Sequence, residues 1–179
     1  MRILAICGSL RAASSNRTAL EAAARLAPAG VQITLYDGLA ALPHFNPDLD
    51  DDPPPPVAAL RAEIGLCDGL LISSPEYAHG VAGAMKNALD WLVGSLEFPG
   101  IPVALINTSP RAKLAQAQMR ETLATMSAAI VEEACIDLPL MGRGLDADGV
   151  AADGPLSAAL RAALESFVLA IGGAEAVSP

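Results

Sequence analysis

Residues 8–17 carry the side chains with the clearest chemical use in this chain. They follow an apolar run, 3–7, and precede an alanine-rich run, so the predicted order is strand, polar loop and helix. Such a loop directs backbone N–H groups and the positive end of a helix dipole at one point, which suits a phosphate. Neutral donors come from Ser9, Ser14, Ser15 and Asn16, and positive charge comes from Arg11 and Arg17. An ordinary capped turn, with Ser15 or Asn16 as the N-cap, is the alternative.

The same loop lacks the features of two common phosphate-binding motifs. It has no Lys-Ser or Lys-Thr ending, which argues against a nucleoside-triphosphate P-loop. It also lacks the three glycines of the G-x-G-x-x-G dinucleotide fingerprint. A magnesium–nucleotide enzyme and a standard NAD-binding domain are therefore disfavoured.

Composition indicates a globular chain that binds its anions through local donors. The chain has 179 residues, 53% of them hydrophobic, with a formal net charge of −9. We expect one domain over 1–179 with a frayed tail at 171–179. The negative charge disfavours nucleic acid as a partner.

The cysteines and the N-terminus favour a cytoplasmic protein. Cys7, Cys67 and Cys135 are scattered, which predicts free thiols without a disulfide framework or a metal site. We expect a reducing compartment. We also expect no signal peptide, and no apolar stretch near the ~20 residues of a membrane span.

Strand-like and helix-like segments alternate five times. Apolar or β-branched runs predict strands at 3–7, 31–36, 69–73, 103–107 and 129–136. Helical spacing predicts helices at 18–26, 57–66, 84–92, 114–126 and 155–170, with a mobile loop at 139–154. This alternation predicts an α/β fold, a flavodoxin-like doubly wound five-stranded parallel sheet of order 2-1-3-4-5 with helices on both faces. Three polar loops, 8–17, 74–80 and 108–111, then meet at the carboxyl edge, where ligands of such sheets bind.

Two motifs in these loops carry a family resemblance. The first is Gly8-Ser9-x-Arg11-x-x-Ser14-x-Asn16, and the second is Pro75-Glu76-Tyr77 followed by the helix Lys86-Asn87-Ala88-Leu89-Asp90-Trp91. In this order and separation they resemble the NADPH-dependent FMN reductase family, which includes quinone, azo-dye and chromate reductases. The resemblance spans roughly residues 3–136.

The resemblance implies an FMN-dependent NAD(P)H oxidoreductase that passes electrons to quinones or similar small acceptors by a ping-pong route. NADPH or NADH would be the co-substrate, and the flavin would carry the chemistry, so no catalytic side chain is expected. The residues implied to hold the FMN phosphate are Ser9, Arg11, Ser14 and Asn16, with Ser15 beside them. The residues implied to border the isoalloxazine ring are Pro75, Glu76, Tyr77, the backbone of Ala78, His79, Gly80 and Val81, and Ser109 on the other side. Relatives form homodimers or homotetramers, so we expect a homo-oligomer.

Several assignments stay open at this stage. His79 is either a contact to substrate or flavin, or an exposed residue at the rim. Arg111 and Lys113 stand where many relatives have a glycine-rich loop, and they could attract the phosphate of NADPH. The alternative function is a flavodoxin-like electron carrier without its own NAD(P)H oxidation step. Aromatic residues make up only 3% of the chain, which disfavours the aromatic sandwich common in such carriers.

Overall fold

A mainly parallel sheet forms the centre of the computed structural model, which describes residues 1–175. The strands are β1 (Arg2–Cys7), β2 (Gln32–Tyr36), β3 (Gly69–Ser73), β4 (Glu76–Tyr77), β5 (Gly80–Val81), β6 (Pro102–Asn107), β7 (Ala129–Ile130) and β8 (Ile136–Asp137). The sheet order is β2-β1-β3-β6-β7, with β8 also pairing in parallel with β6. The predicted flavodoxin-like order 2-1-3-4-5 is confirmed, because β6 occupies the fourth position and β7 and β8 share the fifth.

Helices cover both faces of this sheet. They are α1 (Ser15–Arg25), α2 (Pro55–Gly65), α3 (Gly83–Leu92), α4 (Lys113–Thr125), α5 (Ala147–Ala152) and α6 (Gly154–Glu175). One core cluster joins the sheet to α1, α5 and α6, and the other joins it to α2, α3 and α4. β3 is buried along its whole length, as its continuous apolar sequence predicts for a strand covered on both sides.

The predicted fifth strand is broken into two pieces. In place of a continuous strand over 129–136, β7 and β8 flank a 3₁₀ turn at Glu132–Ala134. The turn takes two adjacent acidic residues out of the pairing, and Arg120 on α4 forms an ion pair with Glu132. The run was predicted as one strand because most of its residues are apolar, although Glu132 and Glu133 interrupt it.

Three other segments differ from the prediction. The segment 74–83, predicted as a loop, contains the antiparallel hairpin of β4 and β5. The segment 139–154, predicted as a mobile loop, contains α5, whose N-cap Asp146 accepts from Gly149 N. α6 extends to Glu175, so the tail predicted to fray from 171 is helical up to that point, and residues 176–179 lie outside the described residues.

α6 is a long apolar helix that covers one face of the sheet. By length and composition alone, its stretch Gly154–Gly173 could cross a membrane, contrary to the sequence-based expectation. Leu160, Leu164 and Phe167 of this helix nevertheless belong to the core cluster over the sheet. Gly69 allows that approach, since a Cβ there would lie 2.9 Å from Phe167 Cζ. The helix therefore has a packing role that accounts for its apolar face.

Candidate cofactor site

A cavity of about 730 Å³ opens at the carboxyl edge of the sheet. Its walls come from the segments that follow β1, β3, β6 and β8. The first three are the polar loops predicted to converge, and residues from each line the same space. The sequence therefore predicted the position of this cavity and three of its four walls.

The first wall is the loop between β1 and α1. The N-cap of α1 is Ser14, not Ser15 or Asn16 as predicted, because helical geometry already begins at Ser15; the Ser14 hydroxyl accepts from Arg17 N at 3.4 Å. The hydroxyl of Ser9 accepts from Arg11 N at 3.4 Å. Both hydroxyls keep a proton to donate, because accepting a hydrogen bond leaves the O–H free. The capped turn and the phosphate-binding loop are therefore compatible in the same residues.

The two arginines of this loop have different surroundings. Arg11 lines the cavity and forms no ion pair within the described part of the chain. Arg17 is bound at 2.9 Å to both Glu21 and Asp37. These carboxylates raise the pKa of the Arg17 guanidinium. Both arginines were expected to provide positive charge for a phosphate. Of the two, Arg11 is the one that lines the cavity, whereas the charge of Arg17 is paired with carboxylates.

Gly8 brings the first wall against the second. A Cβ at Gly8 would overlap Ser74 Oγ and lie 3.1 Å from Ser74 Cα. Gly8 N also donates to Ser73 O at 2.9 Å. Only glycine permits this close approach of the two loops.

The side chain of Asn16 is held by a chain of hydroxyls. Thr108 Oγ1 donates to Asn16 Oδ1 at 3.2 Å, and Ser15 Oγ lies 3.0 Å from Thr108 Oγ1. Ser73 Oγ lies 2.9 Å from the same Asn16 Oδ1. With its oxygen so occupied, Asn16 keeps its amide Nδ2 as the donor for the cavity that it lines. Ser15 acts on Asn16 through Thr108. The sequence indicated no role for Thr108 beyond its place in the loop after β6.

The β4–β5 hairpin has an unusual two-residue turn. Ala78 and His79 have φ values of 49° and 61°, in the left-handed region. Turns of this kind favour Asn-Gly, and each non-glycine residue there costs roughly 1–2 kcal/mol. The surrounding contacts must therefore hold the hairpin in place.

Two side chain to backbone hydrogen bonds fix this hairpin to α4. Glu76 Oε2 accepts from Ala115 N at 2.9 Å, and Gln118 Oε1 accepts from Val81 N at 2.8 Å. The Glu76 carboxylate, expected to border a flavin ring, is thus committed to the first turn of α4. His79 lies 3.4 Å from Glu76 through Nδ1, and its side chain is 82% exposed at the rim.

The predicted ring-bordering residues divide into two groups. Pro75, Glu76, Tyr77 and Ser109 line the cavity, whereas Ala78, His79, Gly80 and Val81 are not among its lining residues. The turn of the hairpin points away from the space that its first strand borders.

The fourth wall, at residues 140–146, was missed. Leu140 N and Met141 N both donate to Thr108 O, at 3.1 and 3.3 Å, which fastens the segment to the end of β6. Met141 Sδ lies 3.8 Å from Ser109 Oγ, above the third loop. Gly142 and Gly144 have positive φ and line the cavity. These two glycines were the available sequence signal.

Neither an ionised thiol nor a metal site is found among the described residues around the cavity. Burial raises the pKa of the Cys7 thiol beneath the first loop, so this thiol stays neutral near pH 7. Within residues 1–175, no group of three His, Cys, Asp or Glu side chains could hold a metal ion. The site supplies hydrogen-bond donors, two arginine side chains and apolar walls, and its two carboxylates, Glu76 and Asp146, accept from Ala115 N and Gly149 N. With these carboxylates engaged by backbone donors, the arginines and hydroxyls suit an organic anion.

The similar curated proteins are reductases of FMN or of quinones. A NAD(P)H-dependent FMN reductase of Pseudomonas aeruginosa is 40% identical over 129 residues, covering 69% of each chain. A 2-hydroxy-1,4-benzoquinone reductase of a Burkholderia species is 34% identical over 139 residues, covering 74% of this chain and 75% of that protein. A quinone reductase of Escherichia coli is 34% identical over 113 residues, covering 61% of this chain and 60% of that protein.

Solved structures have the same fold. The flavoenzyme FerB, an NAD(P)H:(acceptor) oxidoreductase of Paracoccus denitrificans, has a TM-score of 0.81 at 30% identity, covering 96% of this chain and 97% of FerB. Flavodoxin 1 of Bacillus cereus shares the fold alone, with a TM-score of 0.62 at 15% identity. That match covers 94% of this chain and 98% of the flavodoxin. The model of the NADPH-dependent FMN reductase family matches residues 1–138, which contain three of the four cavity walls. The chain belongs to the NADPH-dependent FMN reductase family.

Proposed function

We propose that the protein is an FMN-dependent NAD(P)H oxidoreductase that reduces quinones or similar small acceptors. The observation that carries this proposal is the donor set of the first loop, where Arg11 stands beside free hydroxyl and amide donors at a helix N-terminus. Membership of the FMN reductase family and relatives named as FMN and quinone reductases support it.

The donor set fits the phosphate of FMN. Arg11 forms no ion pair within the described residues, and the Ser9 and Ser14 hydroxyls keep their protons. The amide of Asn16 presents Nδ2, because Thr108 occupies its oxygen. A doubly charged phosphate ester is bound well by this combination of one guanidinium, neutral donors and a helix dipole.

The second and third loops fit a flat ring. Pro75 and Tyr77 line one side of the cavity and Ser109 lines another. We assign the ring of FMN to the space between them. The hairpin backbone at 78–81, outside the lining of this cavity, would meet the ring only at its edge.

The residues of the cavity would bind FMN, orient it and cover its ring. When bound, FMN supplies the redox chemistry, accepting reducing equivalents from NAD(P)H and releasing them to the acceptor. Arg11 and the hydroxyls fix the phosphate end, and the bonds from Glu76 to α4 and from Gln118 to β5 fix one wall. Tyr77, Leu140 and Met141 add apolar surface to the walls of the cavity. No ionisable side chain is required to transfer a proton from the protein.

The electron-carrier alternative is disfavoured by the cavity lining. Among the described residues that line the cavity, Tyr77 is the only aromatic one, so a ring cannot be enclosed there between two aromatic side chains. The relatives named as reductases also support an enzyme over a carrier.

We also propose a cytoplasmic homodimer or homotetramer without nucleic-acid or membrane partners. The net charge of −9 and three free cysteines support the compartment and the absence of nucleic acid. Tyr77 on the cavity wall and Leu114 in the first turn of α4 are exposed at 51% and 54%, and these large apolar side chains support an interface.

Cofactor binding by the apoprotein tests the proposal. Titration with FMN should quench flavin fluorescence at one equivalent per chain and yield a yellow protein. A protein that stays colourless and leaves FMN fluorescence unchanged would refute the assignment.

A further inference from the structure

Most cations of this acidic chain are neutralised by carboxylates. Six of the eleven lysines and arginines form ion pairs. Five form none within the described residues, namely Arg2, Arg11, Arg111, Lys113 and Arg161. Arg11 and Arg111 line the cavity at the carboxyl edge of the sheet, and Lys113 lines a second cavity that shares Asn107 with the first. In a chain with 20 acidic residues, unpaired cations gathered at one edge indicate that anions bind there.

A second cavity of about 390 Å³ lies between α4 and β8. Lys113, Gln116 and Arg120 recur along the face of α4 that lines it, at the spacing of successive helical turns. Arg120 is paired with Glu132, so Lys113 provides the free charge. The opposite side, made by Leu105 and Ile136, is apolar.

The one carboxylate among the described residues that line this second cavity is already engaged. Asp137 Oδ1 accepts from Asn107 Nδ2 at 2.7 Å. That hydrogen bond fixes the orientation of the Asp137 carboxylate, and Lys113 is the one cation lining this cavity that forms no ion pair within the described residues. An apolar side facing a free ammonium group suits a ligand with a flat base and a phosphate.

The two cavities are neighbours across one short segment. Asn107 lines both. In the segment that follows, Arg111 lines the first cavity, and Pro110 and Lys113 line the second. The segment therefore contributes to the lining of both cavities and brings one unpaired cation of the described chain to each. A ligand long enough to extend from the first cavity into the second would have both Arg111 and Lys113 beside it.

We propose that the second cavity binds the adenosine end of NADPH, with Lys113 contacting the 2′-phosphate and Arg111 the pyrophosphate. This inference rests on the proposed function, which puts FMN in the first cavity, because the nicotinamide end must reach FMN to react with it. Arg11 serves the phosphate of FMN, so the two remaining cations at this edge serve the second nucleotide. NADH lacks the 2′-phosphate, so this contact of Lys113 favours NADPH over NADH.

The test uses the FMN-loaded protein and adenosine 2′,5′-bisphosphate, which has the phosphorylated adenosine end without nicotinamide. Calorimetric titration should show binding that Lys113→Ala weakens by about tenfold, the size of a charge-assisted contact to phosphate. Adenosine 5′-monophosphate should bind more weakly than the bisphosphate to the parent protein, and equally to parent and Lys113→Ala. Arg161→Ala is the matched control, because it removes a cation on α6 that lines neither cavity.

Steady-state kinetics provide the second measurement. Lys113→Ala should raise KM for NADPH by about tenfold and leave KM for NADH unchanged, whereas Arg111→Ala should raise both. Unchanged bisphosphate binding in Lys113→Ala, or equal effects of Lys113→Ala and Arg161→Ala, would overturn the inference. Lys113→Ala should bind FMN with the affinity of the parent protein, which separates this inference from the proposed function. Failure of the parent protein to bind FMN would refute the proposed function instead.

Discussion

The carboxylate of Glu76 accepts a hydrogen bond from the backbone N–H of Ala115 at 2.9 Å, across 39 positions of sequence. Ala115 lies in the first turn of α4, which has no side-chain cap of its own. Glu76 therefore caps a helix from a different element, and its negative charge lies at the positive end of that helix. The same contact fixes one wall of the cofactor cavity.

Glu76→Ala should destabilise the protein by about 1–2 kcal/mol, because it removes a charge-assisted cap. Glu76→Gln should restore most of that loss, since its amide oxygen can still accept from Ala115. Urea denaturation followed by circular dichroism measures both changes. Equal stability of Glu76→Ala and the parent protein would show that the contact contributes nothing.

Arg11→Ala should weaken FMN binding by about 1.5–3 kcal/mol, roughly ten- to hundredfold in Kd. Arg11 is the one cation that we assign to the phosphate. Fluorescence quenching of FMN by the apoprotein measures the affinity. Arg161→Ala removes the same charge far from the loop and should leave Kd within about twofold of the parent. Similar losses in both variants would point to a general charge effect instead.

Thr108→Val should weaken FMN binding by about 0.5–1.5 kcal/mol without contacting the phosphate. It breaks the Ser15–Thr108–Asn16 chain and leaves Ser73 Oγ as the one remaining contact of the Asn16 oxygen within the described residues, so the amide is held less firmly. Thr34→Val, on exposed β2, is the matched control. Isothermal titration calorimetry should separate the two, and an unchanged affinity in Thr108→Val would show that Thr108 has no part in FMN binding.

Gly8→Ala should destabilise the fold by about 1–3 kcal/mol, because the added Cβ meets the Ser74 side chain and backbone. Gly83→Ala, where an added Cβ would have nothing within 4 Å, should have no destabilising effect. Thermal unfolding compares the pair. A fully stable Gly8→Ala protein would mean that the first two loops can separate freely.

The strands and helices that position the site were predictable from periodicity. β3 was predicted to the residue, and α1 to α4 within three residues, because continuous apolar strands and amphipathic helices have strong local signals. β7 and β8 were not, since a run rich in apolar residues conceals the turn at Glu132–Ala134. The short hairpin of β4 and β5 was hidden for a different reason, because its turn uses Ala and His instead of Asn-Gly.

The site was predictable where it depends on loops and not where it depends on distant contacts. Ser9, Arg11, Ser14 and Asn16 lie together because one loop contains them. The hydrogen bonds from Thr108 to Asn16 and from Ala115 to Glu76 join residues 92 and 39 positions apart, and no local pattern encodes such pairs. The wall at 140–146 lies after the last residue matched by the family model, so the resemblance gave no indication of it.

Anaerobic mixing of the yellow protein with NADPH is the decisive measurement for the proposed oxidoreductase function. We predict that the visible flavin band bleaches at a rate set by NADPH concentration and returns when a quinone is added under the same conditions. At the same FMN concentration, Arg11→Ala should hold less FMN than the parent protein, so a smaller part of the total flavin absorbance should bleach. A yellow protein whose spectrum is unchanged by both NADPH and NADH would contradict an oxidoreductase and favour an electron carrier.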